Sequence, residues 1–339
     1  LLISDRGTNR VLIFNTIPTQ NNANADVVFG QDNFTSTSSG TGLNRVDRPS
    51  DVSCEGDKML VVDKFNWRGL MFNSIPTSNG AMADFVLTHA VSDWFYAPGG
   101  YIGNNKLMSS SGNNAVIIWN SIPSSNVTYN VIVGWDTAGQ ISSTAAPTAA
   151  NRLKSLDSSP YYDGSKLFIP DSNNHRVLIF NSLPTSHGAS ADVVIGQVDF
   201  TSGSINQGSS VGANTINYPI AVFRDGTRLF IADTYNNRVL IYNTIPTQNN
   251  TSADIVLGQP DFTSATANNG GVGAGTIAAP NAIYSNGTRL AVYDLSNKRV
   301  LLYNLSSKSS ILTSSIYDAG EKVEWLQIDW NVSTPTNSS

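Results

Sequence analysis

The chain has 339 residues, 40% of them hydrophobic and 13% charged, and twenty Lys plus Arg against twenty-five Asp plus Glu leave a formal net charge of −5. That mild acidity argues against an affinity built on phosphate neutralisation. A single Cys excludes a disulfide framework, a zinc ribbon, an iron–sulfur cluster and a CxxCH haem attachment, and no apolar stretch approaches the roughly 18–20 residues that span a bilayer.

The chain opens on Leu1-Leu2-Ile3 with no visible signal peptide, and residues 331–339 read as a polar tail or linker. Between them Gly, Ser, Thr and Asn abound, while Glu occurs only at Glu55, Glu321 and Glu324. This composition resembles that of secreted or cell-surface β proteins. N-x-S/T sequons stand at Asn33, Asn126, Asn249, Asn250, Asn286, Asn304, Asn331 and Asn337. So many are expected by chance in a chain this rich in Asn, Ser and Thr, so they permit glycosylation outside the cell without indicating it.

One unit recurs along the chain. Its clear copies start at Asp5, Asp171 and Asp233, and degenerate ones at Asp63, Ser110 and Asp294. Arg10, Arg68, Ala115, Arg176, Arg238 and Arg299 hold one equivalent position, at spacings of 58, 47, 61, 62 and 61 residues. Fixed periods of this order signal propellers or solenoids. Each unit reads as four short strands of β-branched and aromatic residues bounded by Gly, Asn, Asp and Pro. In the fifth copy strand A is Ile220–Phe223, strand B Arg228–Ala232, strand C Arg238–Asn243 and strand D Ala253–Gly258. Strand C is apolar throughout, as in a sheet covered on both faces.

In chain order, strand B is predicted at 1–5, 58–63, 105–110, 166–171, 228–233 and 289–294. The first copy lacks a strand A. Val323–Trp330, beyond a last strand D at about 309–314, is expected to supply it and close the ring. The predicted architecture is all-β: a six-bladed β-propeller of four-stranded antiparallel blades forming a single domain over 1–330.

The D-x-x-N-x-R element before an apolar strand stands as Asp63/Asn66/Arg68, Asp171/Asn174/Arg176, Asp233/Asn236/Arg238 and Asp294/Asn297/Arg299. It resembles the NHL-repeat propeller family over essentially the whole chain, with Thr8 replacing the Asn in the first copy and Ser110 and Ala115 replacing Asp and Arg in the third. Asp ends strand B and Arg opens strand C, so the two are expected to pair across a tight turn whose left-handed residue is the Asn. The third copy loses both partners together, as a buried pair requires. Ile or Leu before Pro18, Pro76, Pro123, Pro184 and Pro246 is expected to plug the outer end of each blade, and Phe34, Phe200 and Phe262 to anchor the long D–A loops.

The family includes enzymes, RNA binders and protein binders. Its enzymes place ligands at the channel mouth near the start of strand A, which here points to Arg48, Arg152, Tyr218 and Asn281. No ring of Glu, Asp or His appears there. Amidating-lyase relatives hold a metal with several His, but His89, His175 and His187 fall on loops of opposite faces. Lactonase-type relatives hold calcium with Glu, Asn and Asp, and Glu is scarce. Cys54 reads as a buried small side chain. RNA-reading relatives carry a basic face; Arg45, Arg48, Arg152 and Lys154 make a thin one.

The most unusual segment is aromatic: Phe65 and Trp67 in one B–C turn, then Trp94, Phe95 and Tyr96 in the next D–A loop, all on one face. Such rings suit protein interfaces and stacking on sugars. The sequence therefore predicts a non-enzymatic, extracellular or cell-surface binding or assembly module that joins other proteins or copies of itself. No cofactor, metal, nucleic acid or transmembrane segment is expected. The alternatives are a glycan-binding propeller and a metal-dependent hydrolase or lyase.

Overall fold

The computed structural model describes residues 1–20, 22–87, 99–111, 114–136, 147–154, 156–305 and 312–318. Strands B run Leu2–Asp5, Lys58–Asp63, Lys106–Ser111, Leu167–Asp171, Arg228–Asp233 and Arg289–Asp294. Strands C run Arg10–Ile13, Arg68–Phe72, Ala115–Trp119, Arg176–Phe180, Arg238–Tyr242 and Arg299–Leu305. Strands D run Val27–Phe29, Phe85–Leu87, Val131–Val133, Val193–Ile195, Ile255–Leu257 and Leu312–Asp318. Five strands A precede them, Asp51–Glu55, Gly100–Gly103, Tyr161–Tyr162, Pro219–Asp225 and Pro280–Ser285. Pairing follows chain order, so the described strands form one sheet of three and five sheets of four. Val323–Trp330, expected to complete the first sheet, lies outside the described residues, as does the 331–339 segment. The last strand D starts later than expected because its partner strand C is two or three residues longer than the others, and Leu305 pairs with Leu312.

Successive sheets pack face to face. Val11, Phe29, Met59 and Leu70 fill the seam between sheets 1 and 2, and Leu60, Met71, Leu107 and Ile117 that between 2 and 3. Met108, Val116, Leu167 and Leu178 join 3 to 4. Phe168, Val177, Leu229 and Leu240 join 4 to 5, and Phe230, Val239, Leu290 and Leu301 join 5 to 6. Phe14 packs with Val300 and Leu302, flanked by Leu1, Ile3 and Leu12, and joins sheet 6 to sheet 1. Six sheets joined by six seams form a ring, whereas an open stack has only five. Strand C explains the pattern: in sheets 2 to 5 it is buried along its whole length because it has a neighbour on each face.

The C–D connections seal the outside. Ile17, Ile75, Ile122, Leu183 and Ile245 each pack into the seam with the preceding sheet. Three residues after the Pro of that segment a side chain caps the outer edge of the preceding sheet. Asn79 Oδ1 accepts the Val28 N–H, His187 Nδ1 the Ile132 N–H, and Asn249 Oδ1 the Val194 N–H. The next residue donates back to the same strand. Each capped edge strand is thus denied to foreign strands.

The other end is held by the Asp–Arg pair. Asp171 and Asp233 are fully buried, 2.7 Å from Arg176 and Arg238, which are equally buried. One Asp233 oxygen accepts the backbone N–H of Asn217, and the other accepts Asn236 Nδ2 and Arg238 Nε. Arg238 then donates to the carbonyls of Gly212 and Thr215 in the loop entering the blade, and of Phe262 in the loop leaving it. Arg176 repeats the arrangement in its blade, and Arg68 donates to the carbonyls of Thr41, Gly42 and Arg45, all in the loop entering its blade. Burial pushes the Asp171 and Asp233 carboxyls up, and the guanidinium and amide donors around them push back.

The motif Asn does not supply the left-handed residue, as the sequence suggested. It spends its amide on the Asp carboxylate, and the residue after it takes positive φ: Trp67 (58°), His175 (52°), Asn237 (54°) and Lys298 (53°). Gly258 at the end of strand D has φ +91° and a Cβ there would lie 2.8 Å from Ile277, so only glycine fits before the buried Gln259. The amides of Gln197 and Gln259 donate to the carbonyls of His175 and Asn237 and to the D–A loop, an anchor the sequence reading missed. Phe200 and Phe262 pack as expected, whereas Phe34 is 39% exposed.

Arg238→Met leaves Asp233 buried without its counter-ion and is expected to cost about 3–5 kcal/mol in urea unfolding. Asp233→Ser combined with Arg238→Ala, the solution blade 3 already uses, should lose less than the sum of the two single changes by at least about 1 kcal/mol.

Candidate functional site at the channel mouth

Strands A of neighbouring sheets pack directly on one another, so they line the axis of the ring. The B–C turns and D–A loops gather around one mouth of this axial channel. Three mouth positions share an unusual backbone: Arg48 (φ 49°), Tyr218 (60°) and Ala279 (54°) are all left-handed. Their N–H groups are taken by the B–C turn of the previous blade, through Asn9 Oδ1, His175 Nδ1 and Asn237 Oδ1. A left-handed non-glycine residue costs of order 1–2 kcal/mol, and such strain concentrates where a fold must aim a side chain.

Two of the three, Arg48 and Tyr218, meet the aromatic residue of their own B–C turn. The Arg48 guanidinium lies 4.6 Å from the centre of the Phe65 ring, and Arg6, from the first blade, lies 5.8 Å from the same ring. Tyr218 stacks on Tyr235 at 4.4 Å and 6°. The Tyr218 hydroxyl donates to Asp157, and burial, then that carboxylate, pushes its phenol up. Half-buried Lys64 feels Asp157 from across the mouth. Burial pulls its ammonium down and Arg6 adds to that, while Asp157 opposes both. Deeper in, Asp51 accepts hydrogen bonds from Ser159, Gly100 and Val52, tying sheet 2 to sheets 3 and 4. Burial raises its carboxyl to about 6, and those three donors hold it from rising further.

The structure thus brings Phe65, Arg48 and Tyr218 to one mouth. Trp67 is 48% exposed on the same turn as Phe65. Trp94, Phe95, Tyr96 and His89 lie outside the described residues. Arg152 does not line the mouth. Asp171 accepts the Lys154 N–H as Asp63 accepts that of Asp47, so Arg152, two residues before Lys154, matches Arg45 rather than Arg48. Both are held by carboxylates, Arg45 by Asp32 at 2.6 Å and Arg152 by Asp136 at 2.7 Å. Asn281 sits at a bulge in strand A, between Pro280 and Ala282. Cys54 is exposed rather than buried. It shares the Val52 face, turned toward sheet 1, and burial raises its thiol while the nearby Leu1 ammonium opposes. Asp157, Lys64 and Arg6 escaped the sequence reading, and Tyr235 holds the place in its turn that Phe65 holds in blade 2. Among the described residues no three His, Cys, Asp or Glu side chains gather as a metal site, and no helix is long and apolar enough to cross a membrane.

No protein-family model matches the sequence, and a search of curated proteins returns no match. Among solved structures, one chain from the crystal structure of a nidogen/laminin complex is similar at 11% identity and a TM-score of 0.51, over 94% of this chain and 92% of that one. The chain is a six-bladed β-propeller. A functionally unknown protein from Desulfotomaculum acetoxidans DSM 771 is similar at 12% identity and TM-score 0.46, over 92% of this chain and 77% of that one. A putative 6-phosphogluconolactonase from Bacteroides fragilis NCTC 9343 follows at 12% and 0.45, over 80% and 71%. At 11% identity the likeness to the chain of the nidogen/laminin complex speaks for the fold alone.

His175 can accept the Tyr218 N–H through Nδ1 only while its ring is neutral. Burial, then Lys154, pulls its pKa below the ordinary value, and Asp171 opposes. The propeller therefore keeps this contribution to stability above the unfolded His value of about 6.5 and loses it as pH falls through the lower folded value. His175→Asn, matching Asn9 and Asn237, is expected to flatten the fall in melting temperature between about pH 7 and about pH 5. An unchanged slope would show that the ring does not act as an acceptor.

Proposed function

We propose that the propeller is an NHL-like, non-enzymatic module of the cell exterior or cell surface that binds other proteins or copies of itself through the channel-mouth face. One observation carries this reading. The face presents Arg, Phe, Trp and Tyr side chains, exposed by 40% at Phe65, 48% at Trp67 and 58% at Tyr235, on turns fixed by buried Asp–Arg pairs. Trp, Tyr and Arg dominate the energetics of protein interfaces, and a rigid platform lowers the ordering cost of binding. The D-x-x-N-x-R motif in four blades of the ring supports the NHL likeness. The low charge and the Ser, Thr and Asn richness support an extracellular site. One structural neighbour comes from a nidogen/laminin complex. His175 and His187 each commit Nδ1 to a backbone N–H at opposite ends of their blade, which lends no support to a metal-dependent hydrolase or lyase.

Sedimentation velocity across concentration tests the self-association arm. Wild type is expected to grow beyond the mass of one chain, and Trp67→Ser with Tyr235→Ser to weaken that association about tenfold or more. A strict monomer would remove self-association. A second reading, glycan binding, is favoured by the exposed Tyr235 ring stacked on Tyr218, whose hydroxyl donates to Asp157. A glycan array decides it: a signal lost in Tyr235→Ala supports it, and no wild-type signal rejects it.

A further inference from the structure

We propose that the mouth between the first and second blades is an anion-recognition site for an acidic segment of a partner protein, with Arg6 and Arg48 as its carboxylate-binding groups. This rests on the protein-binding reading above and names the partner's chemistry.

The arginines of this chain are almost all spoken for. Nine bond a carboxylate at 2.9 Å or less, and Arg289 donates to the Pro18 carbonyl. The two left are Arg6 and Arg48. Both are exposed, they come from different blades, and both stack over the one exposed ring of Phe65. Among the described residues neither guanidinium has a carboxylate partner. Two like charges do not converge unaided, and here the fold imposes it. Arg6 opens the B–C turn of blade 1, and Arg48 is pinned in left-handed backbone by Asn9 from that same turn. Lys64 adds a third cation, whose ammonium is disfavoured by burial first and by Arg6 as well, against Asp157. An arriving carboxylate relieves that repulsion and can take parallel N–H bonds from a guanidinium while the ring supports the guanidinium from behind.

The surroundings decide the kind of anion. A polyphosphate or polysaccharide track needs cations in series. Here Arg45 and Arg152 are neutralised by Asp32 and Asp136, and Asp157 faces Lys64 across the mouth. Both arginines lie instead over the exposed Phe65 ring, and Trp67 on the same turn is a second exposed aromatic side chain. A short cationic centre rimmed by apolar side chains is complementary to an acidic peptide with apolar neighbours.

The test is fluorescence anisotropy on the full chain with labelled hexaglutamate and hexaglutamine. Wild type is expected to bind hexaglutamate, weakening with salt, and to ignore hexaglutamine. Arg6→Gln and Arg48→Gln should each weaken binding about tenfold and together abolish it, while Arg152→Gln leaves it unchanged. Thermal melts confirm that the variants are folded, and a pair of Arg→Lys changes should restore part of the affinity. Hexaglutamate binding that survives the double variant, or its absence in wild type, overturns the proposal. So does tighter, Arg-dependent binding of polygalacturonate or a single-stranded oligonucleotide, which would name another partner class. If the propeller associates through Trp67 and Tyr235 yet ignores hexaglutamate, only the carboxylate inference fails. If it does neither, both readings fail.

Discussion

A buried carboxylate clamped to a buried guanidinium is the interaction on which this structure depends. Charges this deep are tolerated only when every donor and acceptor is matched. Asp233 matches a backbone N–H, an Asn amide and Arg238, and Arg238 spends its remaining donors on carbonyls of both loops that flank its blade. The pair therefore does more than hold a turn. It fixes two long D–A loops that have little apolar surface of their own, and it fixes the turn that carries Tyr235. The energy that holds Arg48 and Tyr218 in left-handed backbone comes from this scaffold.

Apolar packing supplies the frame in which the clamp works. Each strand C is covered by sheets on both sides, and the seam of Phe14 with Val300 and Leu302 makes the arrangement circular. Circularity gathers the turns of all blades around one axis, so Lys64 of blade 2 and Asp157 before blade 4 can sense each other across the mouth. Two histidines fit this frame as substitutes for asparagine. His175 and His187 each accept a backbone N–H of a neighbouring blade through Nδ1, where other blades use an Asn oxygen.

Most of the fold was legible because a blade has few ways to be written. A strand covered on both faces must be apolar throughout, and its flanking Asp and Arg must appear or vanish together, as blade 3 shows, where the structure pairs Ala115 with Ser111 rather than the Ser110 that the sequence suggested. The site was less legible for three physical reasons. The alignment of Arg152 with Arg45 is set by which backbone N–H the buried Asp accepts, Lys154 in one blade and Asp47 in the other, so its pairing with Asp136 was not visible in the local pattern. The left-handed position belongs to the residue after the motif Asn, so the special status of Trp67 and His175 was hidden behind the more obvious Asn. Finally, Arg6, Lys64 and Asp157 owe their importance to groups on other blades, a relation set by ring geometry and invisible to any local pattern.

The clamp makes a sharp claim about dynamics that native-state hydrogen exchange can read. In Arg238→Met, amides of residues 212–217 and 262–266 should lose protection together, because both loops lose the same anchor, while strands Lys58–Asp63 and Arg68–Phe72 across the ring keep theirs. Unchanged protection in both loops, or a loss spread evenly over all six blades, would contradict the account.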